Sequence, residues 1–242
     1  MRIQIRKETY LWSMLFISTC TLIPQSVNAA GKDDPLLTKV MIDQLEIRDT
    51  EHEKTTVFEG QIWLGHDLNK LWLKTELERF ETDTEEAEVA LLYSRALYPN
   101  WDVQLGLKKD FQPTPDRTWG VLGVQGLSPY FFEIDTSIFL GESGRLALRL
   151  EAEYELMITQ RLVISPEVEL NFHAQNDENT GAGSGLSSAE VGLRLRYEIR
   201  REFAPYIGFN WVAAYGNTSD FKKSEGEEKR DSHFVLGIRA WF

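Results

Sequence analysis

The sequence contains one cysteine, Cys20, within its apolar N-terminal segment. A single thiol excludes a disulfide framework and a metal centre built from several thiolates. Methionine and histidine are also scarce, with four of each among 242 residues. No apolar run reaches the roughly 20 residues that a membrane-spanning helix requires, which excludes a helical membrane protein.

The N-terminal residues predict export. Three basic residues lie among the first seven, and an apolar run follows at 11–23. Val27 and Ala29 then place small residues in the pattern that signal peptidase cleaves. We therefore expect a cleaved signal peptide at 1–29; a lipid anchor on Cys20 is the alternative.

The chain is acidic, with a formal net charge of −12. The predicted signal peptide carries a net charge of +2, so its removal leaves about −14. This charge argues against nucleic acid as a partner and is compatible with attraction of cations.

Apolar and polar residues alternate along almost all of the remaining chain, which is typical of half-exposed β-strands. Most segments have about 9–11 residues, the length of a tilted strand that crosses a bilayer. We count twelve, at 39–48, 56–64, 69–80, 86–98, 101–110, 117–126, 131–140, 145–158, 162–174, 189–200, 204–215 and 232–242.

The connections support a membrane barrel. Tight turns such as "YPNW" and "LSPY" alternate with long polar loops such as "NDENTGAGSGLSS" and "GNTSDFKKSEGEEKRDS", as in transmembrane barrels. The last strand, "HFVLGIRAWF", is apolar at every second position and ends in Phe242. We predict an all-β fold, an antiparallel transmembrane β-barrel of about 12 strands at 39–242, after the signal peptide and a short periplasmic lead-in at 30–38. Aromatic residues near strand ends are expected to form interfacial belts; they are Tyr93, Tyr98, Trp101, Tyr130, Phe131, Tyr206 and Tyr215.

The same alternation predicts a charged interior. In "RLALRLEAEYELMI" the leucines share one face and the glutamates share the other. If the leucines meet lipid, the charged residues face the lumen, and a slip of one residue would place all of them in hydrocarbon. The residues predicted to face inward are Lys74, Glu76, Glu78, Asp102, Lys108, Asp110, Glu133, Asp135, Arg149, Glu151, Glu153, Glu155, Glu167, Glu169, Asn171, His173, Glu190, Arg194, Arg196, Glu198 and Arg200.

Two interpretations of this interior remain open. The charges can form an ion-pair network that fills a small barrel and needs no ligand. Alternatively, carboxylates near an imidazole can bind a divalent transition metal, for which Glu167, Glu169 and His173 are candidates.

Several blocks of the sequence resemble the copper resistance protein B (CopB) family of Gram-negative outer-membrane proteins. The blocks that carry the resemblance are "GHDLNKLWLKTELE", "AEVALLYSRAL", "GVQGLSPYFFEID", "GESGRLALRLEAEYELMITQRLVISPEVELN", "GSGLSSAEVGLRLRYEIRREFAPYIGFNW" and "GIRAWF". The resemblance spans nearly all of the chain after the predicted signal peptide.

This resemblance implies an outer-membrane barrel that contributes to copper resistance by binding copper ions, as Cu(I) or Cu(II), and sequestering or exporting them. The implied partners are outer-membrane lipid, copper ions and a periplasmic copper-handling protein, and copper is a cargo rather than a redox cofactor. Many members carry a Met- and His-rich segment before the barrel, whereas this chain has "AGKDDPLLTKVMIDQLE". Any site is therefore expected in the barrel or its loops, and the metal candidates are Glu151, Glu153, Met157, Glu167, Glu169 and His173.

A cation-preferring porin for another solute is the alternative function. An enzyme is not expected, because the sequence has no Gly-x-Ser-x-Gly nucleophile motif. "GESG" and "GAGSG" are interpreted as turns.

Overall fold

The computed structural model describes residues 34–49, 54–80, 83–226 and 228–242. The predicted signal peptide, Cys20 and His52 lie outside these ranges. The described chain is almost entirely β-strand. Its strands are β1 (Leu37–Asp49), β2 (Lys54–Gly65), β3 (Asn69–Phe80), β4 (Asp83–Tyr98), β5 (Trp101–Gln112), β6 (Arg117–Leu127), β7 (Phe132–Gly141), β8 (Leu146–Tyr154), β9 (Leu156–Met157), β10 (Leu162–His173), β11 (Gly185–Tyr197), β12 (Phe203–Ala214) and β13 (Arg230–Trp241).

The strands form one closed antiparallel sheet. Each strand pairs with its neighbour in sequence, and β13 pairs with β1 to complete the ring. The short β9 continues β8 after an interruption at Glu155, and both pair with β10. Together β8 and β9 occupy one position, so the barrel has twelve strand positions, as the sequence predicts.

The two ends of the barrel differ in their connections. At the end where β1 begins and β13 finishes, short turns join the strands, and we call this the short-turn end. At the opposite, long-loop end lie the β10–β11 loop at 174–184 and the β12–β13 connection at 215–229. The latter contains helix α1 (Gly216–Glu225). No helix within the described ranges is long and apolar enough to cross a membrane.

The outer face of the barrel is apolar and exposed. Leu71 and Leu73 on β3, Leu105 and Leu107 on β5, and Leu193 on β11 are each at least 43% exposed. In a water-soluble protein such a band would be a large exposed apolar surface, whereas in a bilayer it lies in contact with lipid. The outward position of the leucines confirms the predicted side-chain register.

Ion pairs between strands that are not neighbours confirm the charged interior. Lys74 on β3 contacts Asp135 on β7 at 2.9 Å, and Arg239 on β13 contacts Glu155 beside β8 at 3.1 Å. Such pairs can meet only through the lumen. The lumen also contains an apolar cluster on one side, which packs β3 to β8 and consists of Trp72, Ala90, Leu92, Trp119, Val121, Phe139 and Ala147.

Three local predictions are wrong. The loop "GNTSDFKKSEGEEKRDS" contains α1, which ends where Gly226 adopts a left-handed conformation (φ 86°) and donates its N–H to the Lys222 and Lys223 carbonyls. Strand β11 starts at Gly185 instead of 189, because pairing with β10 incorporates the Gly/Ser-rich residues. It ends at Tyr197, which leaves Arg200 exposed in a turn rather than inside.

Tyr206 is the third error, since it does not lie in an interfacial belt. Its ring faces the lumen and is 3% exposed, and its hydroxyl donates a hydrogen bond to Glu46 at 2.9 Å. Alternation with outward-facing Ile207 already indicates this orientation. By contrast, Tyr98, Tyr130 and Phe131 are highly exposed at the short-turn end, as a belt requires.

Candidate functional site: a carboxylate-lined lumen

Strand register places seven carboxylates of the lumen in two rows across neighbouring strands. One row, here called the upper row, consists of Asp135, Glu151, Glu169 and Glu190 on β7, β8, β10 and β11. The lower row consists of Glu133, Glu153 and Glu167 on β7, β8 and β10. Like charges that face each other across strands destabilise a sheet, so these rows require cations nearby.

Basic side chains from other strands offset much of the repulsion between these carboxylates. Lys74 contacts Asp135 at 2.9 Å, Arg239 contacts Glu153 at 3.7 Å, and Arg194 contacts Glu167 at 2.5 Å. In the upper row, Glu190 accepts a hydrogen bond from Asn210 at 2.5 Å and lies 3.2 Å from Arg48. Glu133 has no ion pair with any described residue.

Arg149 on β8 is the central cation of the lumen. Its guanidinium lies 3.3 Å from Glu88, 3.5 Å from Glu76, 3.7 Å from Glu169 and 4.0 Å from Glu151. One positive charge thus bridges carboxylates from β3, β4, β8 and β10. The side chain is 17% exposed, so water screens these contacts only in part.

A second network is more deeply buried, beneath β1 and β11. Arg194 donates to Glu46 at 3.2 Å and to Gln44 at 2.8 Å, and Arg48 donates to Glu46 at 2.8 Å. The side chain of Glu46 is fully inaccessible to solvent. Its Oε2 also accepts a hydrogen bond from the Tyr206 hydroxyl. Both oxygens of Glu46 are paired within this network, so it serves as rigid filling rather than as a ligand site.

Between these networks lies a cavity of about 500 Å³. Its lining includes nine carboxylates, Asp43, Glu59, Glu76, Glu88, Glu133, Asp135, Glu151, Glu153 and Glu167. It also includes six basic residues, Lys74, Lys108, Arg149, Arg194, Arg196 and Arg239. With all of these groups ionised the cavity has an acidic excess of three, which favours cations over anions.

Glu76, Glu86 and Glu88 on β3 and β4 offer carboxylate oxygens within 4.8 Å of one another. Sequence reasoning identified only Glu76, because the register between β3 and β4 was not known. The cluster is partly neutralised from within the barrel. Lys108 contacts Glu88 at 2.5 Å, and Arg149 reaches both Glu76 and Glu88.

The structure brings together four of the six predicted metal candidates. Glu151 lies directly opposite Glu169, and Glu153 lies directly opposite Glu167. Met157 and His173 are remote from each other, at the short-turn and long-loop ends of the β8–β9–β10 segment. Met157 pairs with Val163 at one end of β10, whereas His173 is the last residue of that strand. The six residues therefore do not form one coordination site.

The hydrogen bonds of His173 define its tautomer. The Ser187 hydroxyl donates its one hydrogen to the Asn171 carbonyl at 2.9 Å. Its oxygen must therefore accept from His173 Nδ1, which lies 2.8 Å away. The neutral ring then carries its lone pair on Nε2, the atom available to a metal.

At the long-loop end, Asp177 joins the β10–β11 loop to two other segments. Its Oδ2 accepts hydrogen bonds from Arg117 Nε and Nη2 at 3.1 and 2.8 Å, and it lies 3.0 Å from Arg145. Desolvation raises the pKa of Asp177, but the hydrogen bonds and charge of Arg117 and the charge of Arg145 outweigh it and lower the pKa below its usual value. Arg117 lies two residues before the lumen-facing Trp119 on β6, so its side chain points into the barrel at the long-loop end. The contact of Asp177 with Arg117 and Arg145, here called the Asp177 latch, therefore holds the β10–β11 loop over the opening of the lumen.

Residues 36–242 match the family model described as copper resistance protein B precursor (CopB). Over 203 residues the chain is 46% identical to copper resistance protein B of Escherichia coli, with 84% of this chain and 69% of that protein covered. Over 210 residues it is 40% identical to a copper resistance protein B homolog of Pseudomonas syringae pv. tomato (strain ATCC BAA-871 / DC3000), with 87% and 71% covered.

Two solved porins share the fold. The NanC porin superposes with a TM-score of 0.56 at 15% identity, with 84% of this chain and 99% of that chain covered. The KdgM porin superposes with a TM-score of 0.52 at 12% identity, with 85% and 99% covered. At such low identity the likeness extends to the fold alone.

Proposed function

The chain belongs to the copper resistance protein B family, and from this we propose that it binds copper ions in the lumen of an outer-membrane barrel and so sequesters or exports them. A role in copper resistance follows from the family. The observation that supports the finer proposal is the lining of the lumen cavity, in which nine carboxyl groups outnumber six basic side chains, because ionised carboxylates attract cations. The carboxylates come from several strands, so an ion can move between oxygens without a change in the barrel.

The proposal places the barrel in the outer membrane of a Gram-negative cell after removal of residues 1–29. The short-turn end would face the periplasm and the long-loop end the exterior, as in other barrels of this kind. A periplasmic copper-handling protein would deliver or receive copper at the short-turn end. The barrel has no nucleotide to hydrolyse, so net movement follows a gradient or a donor. No catalytic role is proposed.

The lumen ligands are carboxylates, with His173 Nε2 at the long-loop end and the Met157 thioether at the short-turn end. Imidazole and carboxylate donors suit Cu(II), whereas a thioether suits Cu(I). Oxygen ligands bind copper less tightly than a site rich in thiolate or imidazole, and this favours passage over permanent storage. Lys74, Arg149 and Arg239 would compete with the ion for the same carboxylates.

A survival experiment tests this function. A deletion strain and its complemented parent are challenged with copper, zinc, cobalt and silver, and survival and cell-associated metal are measured. We expect the deletion strain to lose tolerance to copper alone and to accumulate copper. Unchanged tolerance, or an equal loss for every metal, would refute the proposal; the equal loss would favour a cation-preferring porin with an ion-pair-filled lumen.

A further inference from the structure

His233 on β13 has a buried ring nitrogen without a hydrogen-bond partner. Its Nδ1 is inaccessible to solvent and unpaired, and the side chain as a whole is 11% exposed. An unpaired buried polar atom costs about 1–3 kcal/mol, so a native protein rarely retains one without a reason. The other histidines of the described ranges differ in this respect. His66 Nδ1 lies 2.9 Å from the Asp34 carbonyl, and His173 Nδ1 is bonded to Ser187.

Asp231 lies on the same face of β13, two residues nearer the long-loop end. Its Oδ2 is 3.6 Å from His233 Nδ1, which is too long for a hydrogen bond. Its Oδ1 accepts the Ser232 backbone N–H at 2.6 Å, and this contact fixes the carboxylate. Asp231 is 50% exposed, so its carboxylate can be reached from the mouth of the barrel.

The separation of these two atoms fits a shared metal ion. A divalent transition metal binds imidazole nitrogen at about 2.0–2.1 Å and carboxylate oxygen at about 2.0–2.2 Å. Two such donors at an angle of about 90–120° are therefore roughly 3.0–3.6 Å apart. The observed 3.6 Å lies at the wide end of this range. A nitrogen donor disfavours Ca²⁺ and Mg²⁺, which prefer oxygen.

We propose that His233 Nδ1 and Asp231 Oδ2 bind a divalent transition-metal ion at the long-loop mouth, with water completing its coordination. This inference rests on the proposed function for the identity of the cargo, Cu(II). It goes further because it assigns that ion two additional ligands on β13, a strand that holds none of the metal candidates identified from the sequence.

The charges around the pair permit a cation. Arg48 is the nearby base, and it is paired with Glu46 at 2.8 Å and with Glu190 at 3.2 Å. Asn210 lies directly opposite His233 across β12 and β13, and its amide donates to Glu190. Glu46 also pairs with Arg194, which in turn contacts Glu167. Three carboxylates thus face two guanidiniums, and the surroundings add no net positive charge.

A binding experiment tests the site. The full chain, purified from the membrane without a polyhistidine tag, is titrated with Cu(II), and affinity and the electron paramagnetic resonance spectrum are recorded. The variants are His233→Ala and Asp231→Asn, with His66→Ala as the matched control. We expect nitrogen hyperfine coupling in the wild type, a weaker coupling in His233→Ala, where His173 Nε2 can still contribute, and an approximately tenfold weaker affinity in both site variants. His66→Ala is expected to match the wild type.

Wild-type affinity in both site variants overturns the inference. Heat-modifiable migration in gel electrophoresis reports whether each variant forms a barrel. If His233→Ala does not fold, Asp231→Asn decides, and unchanged binding in that variant overturns the site. The outcomes remain separable from those of the survival experiment. Copper tolerance without binding at His233 refutes this site alone, whereas binding at His233 without a copper phenotype refutes the proposed function.

Discussion

Replacement of Arg149 by methionine is expected to destabilise the barrel by about 3 kcal/mol. Four carboxylates lie 3.3–4.0 Å from the guanidinium. At an effective dielectric constant of about 20, each contact is worth about 4–5 kcal/mol before desolvation. Desolvation offsets much of that gain, and removal of one partner from a buried ion pair typically costs about 3–5 kcal/mol. We take the lower end because the side chain is 17% exposed to the lumen.

The assay is urea-induced unfolding in lipid vesicles, followed by tryptophan fluorescence. Lys109→Met is the control, since Lys109 forms an exposed pair with Asp116 at 3.1 Å that is worth at most about 1 kcal/mol. Adding Glu76→Gln to Arg149→Met is expected to restore part of the stability, because Arg149 is the ion-pair partner of Glu76 among the described residues and its removal leaves that carboxylate uncompensated. Equal stability of Arg149→Met and Lys109→Met would refute the assignment of Arg149 as the central cation.

Two further predictions concern the Asp177 latch and the close approach of neighbouring strands at Gly106. Asp177→Asn is expected to speed cleavage of the β10–β11 loop after Glu178 by a Glu-specific protease while the barrel stays folded; Asp116→Asn is the control, and equal cleavage would contradict the latch. Because the pKa of Asp177 is lowered, the wild-type latch is fully formed above the ordinary carboxyl pKa of about 4 and is lost as the pH falls through the folded-state pKa. Hydrogen exchange of the β10–β11 loop, measured across this pH range, is expected to become faster as the pH falls through that pKa, relative to Asp177→Asn at the same pH. Gly106→Ala is expected to cost about 3 kcal/mol or to prevent folding, because a Cβ there would lie 2.0 Å from the Leu91 carbonyl oxygen. Gly120→Ala, whose Cβ would have no atom nearer than 3.7 Å, is the control in the same unfolding assay, and equal stability of the two variants would contradict the close approach.

Sequence reasoning predicted the architecture because the strands of a membrane barrel alternate strictly between apolar and polar residues. Leucine and glutamate alternate on β8, and each strand must place leucine outside and glutamate inside. The count of twelve strand positions, their order and the orientation of Glu151 and Glu153 follow from that rule. Helix α1 could not be predicted in this way, because its first residues, glycine, asparagine, threonine and serine, have weak helix propensity. It is stabilised by tertiary contact, with Thr218 and Ser219 buried and the Thr218 hydroxyl accepting the Gly183 N–H.

The candidate site was predictable only in part, because alternation gives the face of a residue but not its height in the barrel. Parity places Met157, Glu169 and His173 on one face. Their separation depends on the register of β8, β9 and β10, which no single-strand pattern contains. The same limit hid the Glu76, Glu86 and Glu88 cluster. Asp231 and His233 share one face of a single strand, but alternation does not give the distance between their side-chain atoms.

The distance between the two ends of the lumen bears on how copper would cross it. Ten residues separate Val163, the partner of Met157, from His173. At about 3.3 Å per residue this is about 33 Å along the strand. With the usual tilt of about 40° it becomes about 25 Å along the barrel axis, the height of the apolar band of such barrels. The thioether and the imidazole therefore lie near opposite faces of the membrane, and the cavity between them is lined by nine carboxylates and six basic side chains together with apolar and neutral polar residues. An ion crossing the barrel would exchange many weak oxygen contacts, and conduction requires weak, multiple sites of this kind.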